Sequence, residues 1–313
     1  MIPTEKEVKK AYDNVKNHVH QTPVLTSTLL NDLSGASLFF KCENFQRMGA
    51  FKMRGATNAL VSLSVAQKEK GVVTHSSGNF AQALSLAAKT IGIPAYIVMP
   101  SNAPSVKKAA VKTYGGQITE CEPTLKAREA AAKKIQQEKQ ATFIHPSNDM
   151  DVILGNATSA YELLQKHPDL DVIVSPVGGG GLIAGTGLAA KYFGKNCDVW
   201  GAEPENADDA YRSLQSGSIE TNAETDTVAD GLRTTLGHVN FPIIQETVKG
   251  IILVSEEAII AALRLIWERL KIVVEPSSAV TLAAILKEKK RFQGKKVGII
   301  VSGGNVDLNN LPF

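Results

Sequence analysis

Cysteine is scarce: three residues in 313, Cys42, Cys121 and Cys197, far apart and odd in number. That spacing excludes a disulfide framework and a cysteine-based zinc site, and reads as reduced core thiols of a cytoplasmic protein. An excess of one charge is also missing. The 34 Lys and Arg against 31 Asp and Glu leave +3, which gives no grip on nucleic acid or an anionic membrane surface. No apolar run reaches membrane-spanning length. The first residues, MIPTEKEVKKAYDNVKNHVH, are charged with helical spacing, so they read as neither signal peptide nor anchor. Internal repeats and low-complexity segments are absent.

What is present is a regular alternation. Short β-branched runs lead into longer Ala-rich runs of helical period. Val72–His75 leads into 81–91, Ala95–Met99 into 105–114, Gln117–Glu120 into 125–138, and Thr142–Ile144 into 152–165. Asp171–Val177 leads into 182–193, Val199–Ala202 follows, Ile251–Leu253 precedes 256–270, and Val297–Val301 is a last apolar run. This predicts an α/β fold: parallel-type sheets covered by helices. A hydrophobic content of 43% over 313 residues supplies cores for two domains. The dense units between Gly71 and Ile144 predict a smaller domain, 69–147, inserted into a larger one made of 1–68 and 148–313.

Five places carry residue types suited to chemistry. In LFFKCENFQRMGAFKMRGATNAL (38–60), Lys52 sits beside Phe51, between two glycines, where a loop becomes a helix. A helix N-terminus and poor solvation both lower a lysine pKa, and a neutral amine attacks carbonyls. A lone surface lysine has the same composition, so the other four places carry the weight. Thr74-His75-Ser76-Ser77-Gly78-Asn79-Phe80 opens a helix. Its amides suit a carboxylate and a serine hydroxyl there can move a proton, although Ser or Asn before a helix is also an ordinary cap. Gly178-Gly179-Gly180-Gly181 joins a strand to a helix and makes a phosphate cradle, since bare backbone wraps an anion and the helix dipole favours its charge. The same stretch matches a dinucleotide pattern, Gly179-x-Gly181-x-x-Ala184 with Glu203 after the next strand. A nicotinamide- or flavin-dependent oxidoreductase is therefore the rival of another class. Glu203-Pro-Glu-Asn-Ala207-Asp208-Asp209 offers oxygens for a hard divalent cation, or is a solvated acidic turn. Ser302-Gly303-Gly304-Asn305 follows the last apolar run, and there Ser302 can present a neutral hydroxyl or both polar residues can serve the turn.

Together these features resemble the serine/threonine dehydratase and serine racemase group of pyridoxal-phosphate enzymes. That group has a lysine in such a loop, a Ser-Gly-Asn loop, a glycine tetrad and a Ser-Gly-Gly-Asn near its end. All four occur here in that order, and KCENFQRMGAFKMRGA, EPENADDAYRS, VADGLRTTLG and VSGGNVDL resemble the racemases most. The resemblance implies a tryptophan-synthase-β-like fold of the second pyridoxal-phosphate type, with the larger domain holding the cofactor and the smaller one the substrate.

By that resemblance Lys52 would carry the cofactor and act as base on one face of Cα, with Ser77 opposite. Phe51 would pack against the ring, and Asn79 would reach the phenolic oxygen. Gly178, Gly179, Gly180 and Gly181, with Leu182, would hold the phosphate, and Ser302 would bond the pyridine nitrogen. Ser76, Ser77, Gly78, Asn79 and Phe80 would bind the substrate carboxylate. Glu203, the Ala207 carbonyl and Asp209 would hold Mg²⁺, or Ca²⁺ or Mn²⁺ in its place. Gln82 and Tyr114 match residues that hold an ATP effector at the subunit interface of a homodimer. The implied chemistry is deamination of L-serine- or L-threonine-type β-hydroxy amino acids, serine racemisation, or both. A dedicated threo-3-hydroxyaspartate ammonia-lyase is the alternative. Two positions depart from the group's pattern: Phe80 replaces a histidine after Ser-Gly-Asn, and Asn156-Ala157 replaces Gln-Gly.

Overall fold

A computed structural model describes residues 2–313. Among the described residues ten strands form two sheets: β1 (Val24–Leu25), β2 (Ser37–Cys42), β3 (Val72–His75), β4 (Ala95–Pro100), β5 (Gln117–Cys121), β6 (Thr142–Phe143), β7 (Val172–Pro176), β8 (Asp198–Pro204), β9 (Gly250–Val254) and β10 (Lys296–Val301). Six make one sheet in the order β1-β2-β10-β7-β8-β9, and four make the other in the order β5-β4-β3-β6. The four strands of the smaller sheet are consecutive in the chain. Every neighbouring pair is parallel except β1 with β2. Parallel strands need crossover connections, and the helices supply them. The central strands of the larger sheet are buried on both faces: β7 is buried along its whole length and β10 from Val297 onward. This explains why they read as unbroken apolar runs.

Some helices begin earlier than the Ala-rich runs suggest. The serine-loop helix is Asn79–Ile91 rather than starting at Ala81, and the lysine helix is Lys52–Ser62. A chemistry-bearing residue, Asn79 or Lys52, thereby stands in each first turn. Six helices escaped the periodicity: Thr28–Ser34, Val65–Lys70, Asp209–Ser216, Phe241–Thr247, Lys289–Phe292 and Pro276–Lys287. Five are short. The sixth is buried from Ser277 to Ile285 without a polar face, so it shows no amphipathic stripe.

A buried ionic cluster fixes the lysine helix. Arg54 is fully buried; it bonds Glu43 through Nε at 2.7 Å and Glu162 through Nη1 at 2.8 Å. Lys41 Nζ donates to Glu162 at 2.6 Å, while Thr22 Oγ1 and Ser159 Oγ donate to Glu43 at 2.7 and 3.1 Å. Burial by itself would raise the Glu43 pKa, but the Arg54 guanidinium, with Lys41 and the Thr22 hydrogen bond, outweighs it and the net direction is down. The cluster ties β2, the turn after it, the lysine helix and the helix Met150–Lys166 together two residues beyond Lys52. Arg54→Ala leaves two buried carboxylates short of a cation. It should cost about 3–5 kcal/mol of stability, read as a lower urea midpoint with an unchanged slope.

Candidate active site

The chain enters the lysine helix through a strained turn. Met48 has φ 56°, unusual for a residue with a side chain, and Gly49 has φ 80°. Ala50 then bridges to Gly303, and Phe51 N–H donates to Ser302 O at 2.9 Å. The loops of Lys52 and Ser302 are thereby joined by backbone hydrogen bonds, although some 250 residues separate them along the sequence.

Lys52 Nζ donates to Pro146 O at 2.7 Å and lies 5.0 Å from the Phe51 ring centroid and 5.7 Å from that of Phe80. Burial lowers its pKa to about 8, against a smaller upward pull from Glu275. An appreciable fraction of the amine is therefore neutral near neutrality. Phe80 is only 2% exposed and packs with Met53, Ala56 and Leu84 in the apolar core beneath the smaller sheet. Phe80 thus forms an aromatic wall of the lysine pocket.

The next residue of the Pro146 loop reaches the glycine run. A Cβ on Gly179 would come within 2.5 Å of Ser147 Oγ, and one on Gly181 within 2.9 Å of Ser147 O. Gly180 has φ 80°, and a Cβ there would lie 2.6 Å from Asn240 Oδ1. Side chains are excluded by contact as well as by backbone conformation. Asn240 Nδ2 donates to Ser147 O at 3.0 Å and to Gly179 O at 2.8 Å, holding the two segments together. The run ends at the N-terminus of the helix Gly181–Phe193, where backbone amides and the helix dipole favour a phosphate. Leu182 is buried behind it with Phe51.

Ser76, Ser77 and Gly78 form a half-exposed bend between β3 and the Asn79 helix. Ser76 Oγ accepts from Gly78 N–H at 3.4 Å. The Asn79 amide group is oriented from both sides. Its Nδ2 donates to both Glu275 oxygens, at 3.1 and 3.0 Å, and its Oδ1 accepts from Asn305 Nδ2 at 2.9 Å. A carboxylate only accepts, so Glu275 fixes which end of the amide faces it and leaves one N–H for another acceptor.

Glu275, His145, Ser147, Asn240 and Ser278 were not read from the sequence. Glu275 is 5% exposed, and burial raises its pKa to about 7, opposed by the Asn79 hydrogen bond. His145 is pushed down to about 4 by burial and by His75, Lys52 and His238. Its Nδ1 accepts from the Ser147 and Asn148 amides at 3.2 and 2.8 Å, so a neutral ring shapes the Pro146 turn. Only the Glu275-Pro276 step carried a signal: a proline at the first position of a helix.

The acidic loop at 203–209 is tied to the helix that follows it. Glu203 is fully buried, and its oxygens accept from Ala210 and Tyr211 N–H at 3.1 and 2.8 Å, capping the helix Asp209–Ser216. Its role is therefore not to meet a dinucleotide ribose beside the glycines, and the oxidoreductase reading loses its acidic residue. Asp209 is 1% exposed; Oδ1 accepts from Asn222, and Oδ2 is buried without a partner among the described residues. Burial raises Glu203 to about 9 and Asp209 to about 6. Ala207 ends the turn Glu205–Ala207 between them.

An amine of lowered pKa in an aromatic pocket, linked through one loop to a phosphate cradle, defines a class of enzyme that binds pyridoxal phosphate. Residues 15–303 match the family model described as "Pyridoxal-phosphate dependent enzyme", and the chain belongs to that family. Among its relatives, a serine racemase of Dictyostelium discoideum is 50% identical over 98% of this chain and 96% of its own length. The crystal structure of that racemase superposes with a TM-score of 0.95, covering 98% of this chain and 100% of that one. A beta-hydroxyaspartate dehydratase of Paracoccus denitrificans (strain Pd 1222) is 51% identical over 100% of this chain and 99% of its own. Maize serine racemase, also known from a solved structure, is 44% identical, with a TM-score of 0.96 over 99% of this chain and 95% of that one.

Proposed function

We propose that this protein deaminates L-serine- or L-threonine-type β-hydroxy amino acids to 2-oxo acids and ammonia, the water lost in β-elimination being returned when the resulting imine is hydrolysed, and racemises serine at the same site. The observation that carries this reading is Lys52: an amine with its pKa lowered to about 8, walled by Phe51 and Phe80 and hydrogen-bonded to the loop that packs on the glycine run. When bound, pyridoxal 5′-phosphate supplies an electron sink for the charge left on Cα. The chain's residues bind, orient and move protons. The amides of Gly178, Gly179, Gly180 and Gly181, with Leu182 behind them, hold the phosphate. Phe51 packs on the ring, Ser302 bonds its nitrogen and Asn79 its phenolic oxygen. The loop from Ser76 to Phe80 holds the substrate carboxylate. Lys52 takes the Cα proton on one face, and Ser77 exchanges it on the other. In this reading 1–68 with 148–313 is the cofactor domain and 69–147 the substrate domain.

Glu203, the Ala207 carbonyl and Asp209 suit Mg²⁺, Ca²⁺ or Mn²⁺, because a divalent cation would meet the partnerless Asp209 oxygen and stabilise the ionised form of two carboxyls that burial disfavours. A chelator should therefore lower the melting temperature and activity of the wild type, while Asp209→Ala should not respond to it. A chelator that leaves the wild type unchanged would remove the metal assignment. The same family reading makes the enzyme a cytoplasmic homodimer with ATP held near Gln82 and Tyr114. Gln82 is buried on the Asn79 helix, and Tyr114 ends the helix Ser105–Thr113 packed against it. No helix among the described residues is long and apolar enough to cross a membrane.

The Paracoccus relative supports a second reading, a dedicated threo-3-hydroxyaspartate ammonia-lyase. Incubation with L-serine, L-threonine and L-threo-3-hydroxyaspartate, following both oxo acid and D-isomer, decides between them. Oxo acid from serine or threonine, with D-serine, supports the main reading. Turnover of hydroxyaspartate alone supports the second, and no turnover of any of the three overturns both.

A further inference from the structure

Ser302 has a hydroxyl partner that the proposed chemistry does not account for. Ser278 stands in the first turn of the helix Pro276–Lys287, and its Oγ lies 3.0 Å from Ser302 Oγ. Both side chains are buried, at 0% and 3% exposure. Ser278 Oγ accepts from Gly303 N–H at 2.9 Å and also lies 2.8 Å from Gly303 O. A serine hydroxyl has one proton and two lone pairs. With one lone pair taken by Gly303 N–H, the single proton has two destinations: the Gly303 carbonyl or Ser302.

The surroundings favour Ser302. Gly303 O already accepts from Glu275 N–H at 3.0 Å, so the Ser278 proton can leave it without orphaning a buried carbonyl. Among the described residues, Ser302 Oγ has no hydrogen-bond partner except Ser278. If Ser302 gave its proton to Ser278, it would turn only lone pairs toward an aromatic nitrogen that also offers a lone pair. The opposite direction satisfies every group. Ser278 donates to Ser302, and Ser302 keeps its own proton free to donate onward.

We propose that Ser278 is a positioning residue that fixes the Ser302 hydroxyl as a donor toward the pyridine nitrogen and strengthens that donation. This rests on the reading that Ser302 faces that nitrogen. Hydroxyls in series polarise one another, which strengthens each bond by roughly 10–30%. The electron demand of the ring, and with it the acidity at Cα, is then set partly by a side chain that touches neither ring nor substrate.

The test uses the holoenzyme reconstituted with cofactor carrying ¹⁵N at the pyridine position and reads that nitrogen's NMR resonance. Losing a hydrogen-bond donor moves a pyridine nitrogen downfield. Ser302→Ala should do so in full, and Ser278→Ala in the same direction by roughly 10–30% of that change. Ser278→Cys keeps a side chain beyond Cβ but donates weakly, so it should also move the resonance downfield, which separates donation from packing. If Ser302→Ala moves the resonance while both Ser278 variants leave it in place, or move it upfield, the relay is wrong and the placement of Ser302 stands. If Ser302→Ala moves nothing, Ser302 does not face the nitrogen, and the proposal falls with that reading.

Discussion

Lys52→Ala is expected to lower turnover of every amino-acid substrate by about 10³-fold or more, with the fold intact. The position loses two things at once: proton transfer worth about 10²–10⁴ and the amine that joins the cofactor covalently. Stability should change little, because the hydrogen bond Lys52 makes is to a single carbonyl, that of Pro146, at 2.7 Å. Borohydride reduction followed by peptide mass analysis should place the cofactor on the peptide containing Lys52 in the wild type and on none in the variant. The pH dependence has a definite sign. Burial disfavours the ammonium, so the pKa is about 8 rather than the usual 10.5. In the cofactor-free protein, capture of an added aldehyde should rise with pH and level off above about 8. A rise that continues to about 10.5 would mean the amine is solvated. A variant that still deaminates serine at the wild-type rate would end the account of this site.

The second large effect separates the two reactions. Ser77→Ala should lower serine racemisation by about 10²–10⁴-fold, the range for a removed acid–base group. Elimination from the L-isomer needs only the Lys52 face and should fall much less. Ser77 lies in the half-exposed bend before the Asn79 helix, so deleting its hydroxyl creates no core cavity. The comparison requires kcat and KM for both products from one preparation. Equal losses would mean that Ser77 holds the carboxylate and moves no proton. A loss confined to KM would say the same.

Glu275 shows why part of the site was hidden. Its two oxygens meet Asn79, 196 positions earlier in the chain. Along the sequence, Glu275 looks like an acidic residue before a proline. Burial, at 5% exposure, makes it a group that titrates near neutrality, and its hydrogen bonds to Asn79 orient a loop of the smaller sheet. His145 and Ser147 are similar cases. Their roles come from the Pro146 turn, and nothing in HPSND marks that turn as lying between Lys52 and Gly179. Phe80 was read as part of the carboxylate loop, and its place in the apolar core appears only once the Asn79 helix is docked.

The sequence by itself determined the order of most strands and of most of the longer helices, because apolar period and glycine placement are local properties of the chain. It also marked the candidate reactive groups, since an amine at a helix start, a serine loop and four bare amide-bearing residues occur together in one chain. The tertiary structure decided which pKa values move, which amides are oriented and where each serine proton points. Those depend on desolvation and on donors and acceptors brought within about 3 Å of one another by the parallel sheets, and separation along the chain carries no record of that distance.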